Sequence, residues 1–423
     1  MDGRRKGVLA AGLLPAIAGI WGAAASAADA VVDISVVMPF GSMGGQPKAE
    51  ELIAQFEAAN PGIHVTLQNG AGPKLLSRIA AGDPPDVGTV DYGQAPGFYQ
   101  KGLATDLTPY LERDKFDTSV LPPNDESLKY QGKWYGVPQA GGAFADRAIF
   151  YDRDAFGAAG LAFPTPEWTW TDFATDAKKL TTDPNGDGKP DRVGYSFSNL
   201  EWPIYVWSGG GDIFKKQADG YVFALDQEPA EAALDWWAEL TKAGVAATNP
   251  AINFKTGKVA MGTGAYFQVQ NFANQKLPFD WSLITFPNGA GGSINRRITH
   301  PWVIPAGAKH PDEAWRFLKF WLSDAVQHEL TIDWRVRPPQ IRPIAQELAR
   351  LQLAGPPYSY AAFMGVTGAS RALPIAVPGW DKISPEIDKA ILPIWQGRVS
   401  AKSAMDALAP TINAMVQAAT EGS

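Results

Sequence analysis

Apolar and polar positions along this chain repeat with two periods, and the switches between them mark out its elements. Residues 31–38 (V-V-D-I-S-V-V-M) carry the two-residue period of a strand. A loop of small residues, 39–47, follows. Leu52, Ile53 and Phe56 then share one face of a 3.6-residue repeat, which predicts a helix over 48–59, stopped by Asn60-Pro61-Gly62. Residues 63–67 alternate like a second strand, 75–81 read as a short helix, and 85–90 as a third strand ending at Asp91. Strands alternating with helices at this spacing predict an α/β domain with a largely parallel sheet.

A break in this rhythm follows at 132–156. A short apolar run at 134–137 meets Pro138, and a polar, glycine-bearing stretch occupies 139–142. A second apolar run, 148–151, enters the acidic start of a helix at Asp152. Two arrangements fit: a strand leaving one domain and re-entering another across a flexible hinge, or a strand–turn–strand within one domain. Beyond it the pattern predicts a helix capped by Thr171 and running to Leu180, a strand at 193–197, and a helix over 228–243 with Leu234, Trp237 and Leu240 on one side. Strands are expected at 259–263 and 281–286, with a second crossing in the loop 288–295. A returning strand at 298–304 and a helix over 311–322 come next. From 324 the pattern is mostly helical with Pro and Gly breaks, ending in 401–419. No internal repeat is visible.

The 423 residues leave room for two domains. A chain 45% hydrophobic and 19% charged is globular in composition. The formal charge is −7, with no basic cluster of the kind nucleic acid requires. Arg4, Arg5 and Lys6, the apolar run 8–20 and Ala25-Ser26-Ala27 together form a secretory signal-peptide pattern, with cleavage expected after Ala27. The apolar run is too short and Gly-rich for a membrane span. Cleavage removes three positive charges and one negative, so the −7 becomes −9. Arg4-Arg5 fits twin-arginine export except that Gly7 stands where that motif usually carries Phe; both export routes stay open. The chain has no Cys, which excludes disulfides, thiolate metal sites and thiol nucleophiles, and leaves none near the cleavage site to carry a lipid. The expectation is a freely soluble periplasmic protein.

Catalytic signatures are absent: there is no G-x-S-x-G, no phosphate-binding loop and no dinucleotide fingerprint. His64, His300, His310 and His328 lack zinc-ligand spacing. Asp183, Asn185, Asp187 and Asp191, with Gly188 at the sixth position, match the start of a calcium loop, but Gly194 stands where its bidentate Glu belongs. A solvated turn using Asp, Asn and Gly fits the same residues. No cofactor is expected. The chain holds 15 Trp, of which only Trp21 lies in the leader. A flat apolar face beside a hydrogen-bond acceptor suits a sugar, which offers C–H faces and hydroxyls. Candidate platforms are Trp202 beside Glu201, Tyr266 at a strand-to-helix junction, Trp302 in the returning strand, and Trp380 on a loop before a helix. Core packing is the competing role for any one of them, and Trp237 in particular is expected to be core.

In order along the chain come Phe56-Glu57-x-x-Asn60-Pro61-Gly62-Ile63-x-Val65, Pro85-Asp86-Val87, Gly102-Leu103-x-x-Asp106-Leu107 and Gly132-Lys133-x-Tyr135-Gly136-Val137-Pro138. Phe150-Tyr151-Asp152-x-Asp154-x-Phe156, Gly257-Lys258-x-Ala260-Met261 and Ala314-Trp315-x-Phe317-Leu318-x-Phe320 follow. Each is weak alone; in this order they resemble the solute-binding proteins of carbohydrate ABC importers, the family of maltose-binding protein. The resemblance spans nearly the whole mature chain. It implies a two-lobed α/β periplasmic binding protein fold of type II, with discontinuous lobes hinged about a ligand cleft. The expected N-terminal lobe is 28–138 plus 296–325, and the C-terminal lobe 139–295 plus 326–423. By the same resemblance Phe40 and Ser42 border the ligand, Asp91 ends the third strand, Glu201 and Trp202 contact the ligand, and Tyr266 and Trp380 stack on it. Where many relatives carry a Thr-Asp-Thr-Arg-like run, this chain has Phe144-Ala145-Asp146-Arg147, so the acidic sugar contact is lost or moved to Asp146. Some relatives hold calcium in the loop at 183–191.

The leading expectation is a non-enzymatic, monomeric receptor that delivers a carbohydrate to an inner-membrane ABC permease. Arg296, Arg297, Arg335, Arg337 and Arg342 gather near the expected cleft, and arginine forks suit carboxylate, phosphate or sulfonate. An anionic sugar derivative or glycerol phosphodiester is therefore a second expectation; the competing role of these arginines is as surface ion-pair partners. A secreted carbohydrate-active enzyme is a third; it would need two carboxylates facing one cleft at catalytic separation.

Overall fold

The computed structural model of the chain describes residues 31–122, 125–196, 201–218, 220–247, 254–363 and 369–421. The leader 1–27 lies outside them. Two five-stranded sheets organise the rest. In the first, the strands Val32–Met38, Ile63–Asn69 and Val87–Thr89 pair in parallel. Two later strands, His300–Val303 and Val137–Ala140, complete the order 63–69, 32–38, 87–89, 300–303, 137–140. The strand 300–303 runs antiparallel to both its neighbours. The second sheet has the order 246–247, 193–196, 259–265, 147–152, 281–284.

Alternation along each strand sends side chains to two helical layers. Trp302 enters the layer built on Phe56, Trp315, Phe317 and Trp321, while its neighbour Val303 enters the layer of Leu75, Phe98 and Tyr99. In the second sheet Tyr151 joins the core of Tyr195, Trp237 and Trp395, and Phe150 that of Phe254, Phe272 and Trp281. Each lobe therefore buries both faces of its sheet, as a mostly parallel sheet must.

Several boundaries differ from the sequence reading, each for a physical reason. The first helix begins at Gln46, where Pro47 fits the opening turn, and the second spans Gly72–Ala80 rather than 75–81. The helix expected to be capped by Thr171 is capped by Thr169: its hydroxyl accepts from the Asp172 amide at 3.2 Å, while Asp172 accepts from the Thr169 amide at 2.9 Å. Thr-x-x-Asp is a reciprocal cap that Thr171 cannot form. The apolar run 134–137 divides between a small hairpin, Lys129–Tyr130 with Lys133–Trp134, and the sheet strand Val137–Ala140. The second crossing is not the loop 288–295. Residues 289–292 make a tight turn, and Ile294–Arg297 is a strand because Ala369–Ala372 returns to pair with it. The crossing itself is Ile298-Thr299. The first-lobe core also extends past residue 325, through Val326 and Leu330 to Ile341 and Ile344.

The two crossings lie side by side and are bonded to one another. The Asp146 amide donates to the Arg296 carbonyl at 2.7 Å, and the Ile298 amide to the Gly142 carbonyl at 3.2 Å. The Asn295 side chain acts as a surrogate strand: its Oδ1 accepts from the Arg147 amide at 3.3 Å and its Nδ2 donates to the Arg147 carbonyl at 2.7 Å. Gly141 and Gly142 let the crossings approach. Gly141 has φ +94°, and a Cβ there would sit 2.3 Å from the Ile298 carbonyl oxygen; at Gly142 it would sit 2.3 Å from the Asp146 Cα. A third segment completes the connection, with Arg337 donating to the Gln139 carbonyl at 2.5 Å and Gln340 to the Gly141 carbonyl at 3.0 Å.

Replacing Asn295 by Ala strips a backbone donor and acceptor of their partner. It is expected to cost roughly 1–3 kcal/mol in urea unfolding, whereas Asn295→Asp keeps the acceptor and loses only the donor. An Ala variant as stable as the wild type would remove the surrogate-strand role.

Candidate functional site

The first-lobe side of the junction is built on the strand ends that follow Thr89 and precede Pro301. Asp91 caps the turn Tyr92–Gln94, accepting from the Gly93 amide at 3.0 Å. His300 lies beside it, with Nδ1 3.7 Å from the Asp91 carboxylate and its ring edge-on to Tyr92 at 5.5 Å. Burial holds the His300 imidazole neutral, below its ordinary range, against the opposing pull of Asp91 and Asp146.

The second lobe supplies a charge cluster. Asp146 accepts from Arg296 Nη2 at 2.6 Å and lies 3.3 Å from Arg147 Nε. Arg147 Nε is also 3.6 Å from Glu201. Arg296 is 3% exposed, Asp146 13% and Glu201 2%, so these charges sit largely out of water. Burial pushes the Asp146 carboxyl up, but Arg147 and Arg296 outweigh it and hold it below the usual carboxylate range. Beside the cluster the Trp202 indole donates to Asp388 Oδ1 at 2.8 Å. Burial raises the Asp388 carboxyl, the Trp202 bond and Arg296 only partly offsetting it.

The two sides meet at Tyr92. This first-lobe phenol packs against the second-lobe core. Its acidity is weakened first by burial and further by Asp91, Asp146 and Asp388, with Arg296 opposing. Next to this junction a groove of about 1240 Å³ runs between the lobes, lined by Gln94, Phe98 and Lys101 on one side and Tyr221, Pro378 and Trp380 on the other. Arg337, behind the cluster, is brought by burial down to about 9; its guanidinium lies over the Trp321 ring at 4.8 Å.

The sequence-predicted residues divide accordingly. Asp91, Asp146, Glu201 and Trp202 come together at the lobe junction, and Trp380 lines the groove. Trp302 does not face the cleft: it is 0% exposed and packs edge-on to Phe317 and Trp321 at 5.8 and 5.4 Å. Tyr266 is likewise core, with its hydroxyl donating to the Thr331 carbonyl at 3.3 Å and its ring against Tyr360 and Phe363. Arg335 adopts φ +53° and donates to the Ile332 carbonyl at 3.3 Å, on the Tyr266 and Tyr360 side of the second lobe. Phe40 packs on the first-lobe core, with its amide donating to Asn69, and Ser42 lies in the short helix Phe40–Met43. Trp237 is core, as expected. Sequence reasoning missed Tyr92, His300 and Asp388. Tyr92 could have been found as the residue after a strand-ending Asp; Asp388, inside a helix, carries no comparable signal.

The loop from Asp183 to Asp191 turns its oxygens on its own backbone. Asp183 accepts from Gly186 and Gly188, and Asn185 from Asp187. A side chain at Gly194 is excluded, because a Cβ would lie 1.9 Å from the Ala177 carbonyl oxygen. Among the described residues no group of acids and histidines is arranged to hold a metal.

The family model described as "Bacterial extracellular solute-binding protein" matches residues 41–328. A Brucella abortus chain whose name gives it a binding role without a ligand is 27% identical over 89% of this chain and 91% of its own. The diacetylchitobiose binding protein of Streptomyces coelicolor is 26% identical over 65% of each chain. Among solved structures, an ABC substrate-binding protein from Listeria monocytogenes in complex with cycloalternan superposes with a TM-score of 0.76 at 25% identity, covering 91% of this chain and 99% of its own.

Removing one partner of a buried ion pair strands the other, at a cost of about 3–5 kcal/mol, and Asp146→Asn is expected to destabilise by that order at neutral pH. A carboxyl depressed in the folded state contributes fully above its unfolded pKa of about 3.9 and loses its contribution as pH falls through the folded value. The gap between wild type and variant in urea unfolding should therefore narrow below about pH 4. A gap that stays constant as pH falls from about 7 through about 4 to about 2 would assign the loss to packing instead.

Proposed function

The chain belongs to the bacterial extracellular solute-binding protein family, and we propose that it captures a neutral carbohydrate between its lobes and presents it to a membrane permease without chemical change. The fold is that of the family's two-lobed α/β receptors. Among the described residues no helix is long and apolar enough to cross a membrane, which accords with an exported receptor acting beside its permease. Release of residues 1–27 and a freely diffusing monomer remain part of the proposal.

The observation that carries the neutral reading is the engagement of the junction arginines. Arg296 and Arg147 already face Asp146 and Glu201. An incoming phosphate or carboxylate would have to displace Asp146, breaking a buried pair worth about 3–5 kcal/mol to either partner. A sugar hydroxyl donates to carboxylate oxygens without disturbing the pair. Asp91, Asp146, Glu201 and Asp388 together outnumber the two arginines, which suits a ligand rich in donors. Trp380 lines the groove and supplies an apolar face, while Trp202, 3% exposed, belongs to the second-lobe core beside it; the groove has room for more than one sugar ring. Its lining does include Lys101, Lys129, Lys216 and Lys382, so a sugar whose far end carries one anionic group is a second reading.

The test is a thermal-shift and calorimetry series on protein refolded from denaturant to shed carried-over solute. The panel is maltotriose, mannotriose, N,N′-diacetylchitobiose, glucuronate and glycerophosphocholine. A neutral oligosaccharide should raise the melting temperature and bind at micromolar affinity or better with no product formed. Trp380→Ala should weaken that binding by about tenfold or more, the equivalent of 1.4 kcal/mol. Binding confined to glucuronate or glycerophosphocholine would replace the neutral reading with the anionic one, and solute turnover would overturn the receptor reading altogether.

A further inference from the structure

The helix Trp380–Trp395 links three parts of the junction. Its first residue lines the groove. Its buried face, through Ile383, Ile387 and Ile391, anchors it in the second-lobe core. It also meets the first-lobe turn Tyr92–Gln94 across the cleft. Asp388 sits on this helix at the edge of that core, partly exposed, with Ile387 beside it fully buried. Nothing in the relatives' similarity or in the motifs of the chain assigns it a role.

Its surroundings do. Oδ1 accepts the Trp202 indole N–H at 2.8 Å, and a carboxylate gripping the edge of an indole fixes the direction of the ring's face. Trp202 is also the first residue of the helix Trp202–Ser208, adjoining Glu201. Arg296 is near enough to favour the ionised form of Asp388, but Arg296 is bonded to Asp146. Asp388 is thus a carboxylate in the cluster with no arginine bonded to it in the described contacts, and it has a second oxygen for another donor. The helix that carries Asp388 contacts the Tyr92–Gln94 turn of the opposite lobe, and the Asp388 charge is near enough to weaken the acidity of Tyr92.

We propose, resting on the carbohydrate reading above, that Asp388 is a specificity-determining residue of the solute site: one oxygen sets the Trp202 ring, and the other accepts a solute hydroxyl. The arrangement ties the pose of a buried indole to hydroxyl recognition through one side chain. A solute lacking that hydroxyl leaves a partly buried carboxylate oxygen without a donor, which penalises the wrong ligand more than the contact rewards the right one.

The experiment has a solute-free arm and a binding arm, run on the full mature chain. In the first, the indole N–H resonance of Trp202, identified by its loss in Trp202→Phe, is followed in wild type, Asp388→Asn and Asp388→Ala. It should move strongly in Asp388→Ala and less in Asp388→Asn, whose amide oxygen can still accept. An unmoved resonance in Asp388→Ala overturns the proposal whatever the ligand. In the second arm, maltotriose, mannotriose and N,N′-diacetylchitobiose are titrated by calorimetry into each variant. For whichever binds the wild type, affinity should fall at least about 30-fold in Asp388→Ala and about 3- to 10-fold in Asp388→Asn, with each variant still fully folded, by cooperative urea unfolding, under the titration conditions. Wild-type affinity in Asp388→Ala overturns the proposal while leaving the receptor reading intact. Equal losses in Trp202→Phe, Asp388→Ala and the double variant would overturn the hydroxyl contact, showing that the residue acts through the indole alone. If none of the three sugars binds the wild type, the carbohydrate reading fails and the solute half of the proposal fails with it, while the resonance arm still decides the Trp202 pairing.

Discussion

Everything in this molecule depends on how the chain passes between its lobes. A connection that carries motion must be thin, yet a thin connection exposes backbone groups that need partners. The solution is to lay the crossings against each other. Asp146 bonds to Arg296 through both backbone and side chain, so the first crossing and the second are one unit rather than two loose tethers. The Asn295 amide and the Gly141-Gly142 pair complete it, the former by substituting for a strand and the latter by leaving no side chain in the way. Rotation can then occur about a fixed axis, with Asp146 and Arg296 staying paired while the lobe faces beyond them separate.

In the proposed function that pairing also bears on what the cleft can receive. Two arginines near a binding site would ordinarily advertise an anion. Here both lie against carboxylates, and the local field is set by the acids left over. On the proposed neutral-sugar reading the hinge and the site would share residues, and the chemistry that stabilises the crossing would also select the ligand. His300 and Tyr92 belong to the same logic: burial keeps the imidazole uncharged and the phenol protonated, and both can then donate or accept without bringing net charge to the cleft.

The strands and helices were largely legible because their periodicity is local. The α/β class, the two lobes and the first crossing followed from alternation, Gly and Pro placement and the resemblance built upon them. What escaped depends on partners far along the chain. Ile294–Arg297 is a strand because residues 369–372 come back to meet it, and no local pattern announces that. Trp302 has the neighbours of a platform residue in sequence, but pairing with Thr89 and Val137 directs it into the first-lobe core. Tyr266 follows its strand as expected and is then covered by Tyr360 and Phe363, almost a hundred positions later in the chain. Asp388 is an ordinary helical acid until Trp202 is folded against it. Thr169 was readable, since Thr-x-x-Asp is a cap signature in its own right; the choice of Thr171 overlooked the reciprocal partner.

The place of the strand His300–Val303 has a further consequence, for the order in which the protein comes into being. It lies in the interior of the first sheet, between 87–89 and 137–140, yet it is synthesised only after all five strands of the second sheet. Until residue 303 leaves the ribosome, the amino-terminal lobe has a gap in the middle of its sheet, with two unsatisfied edges and no Trp302 for its core. The lobe made first is thereby the lobe finished late, because vectorial synthesis and spatial order run against each other. A chain arranged this way leaves its first sheet unfinished through most of its own translation.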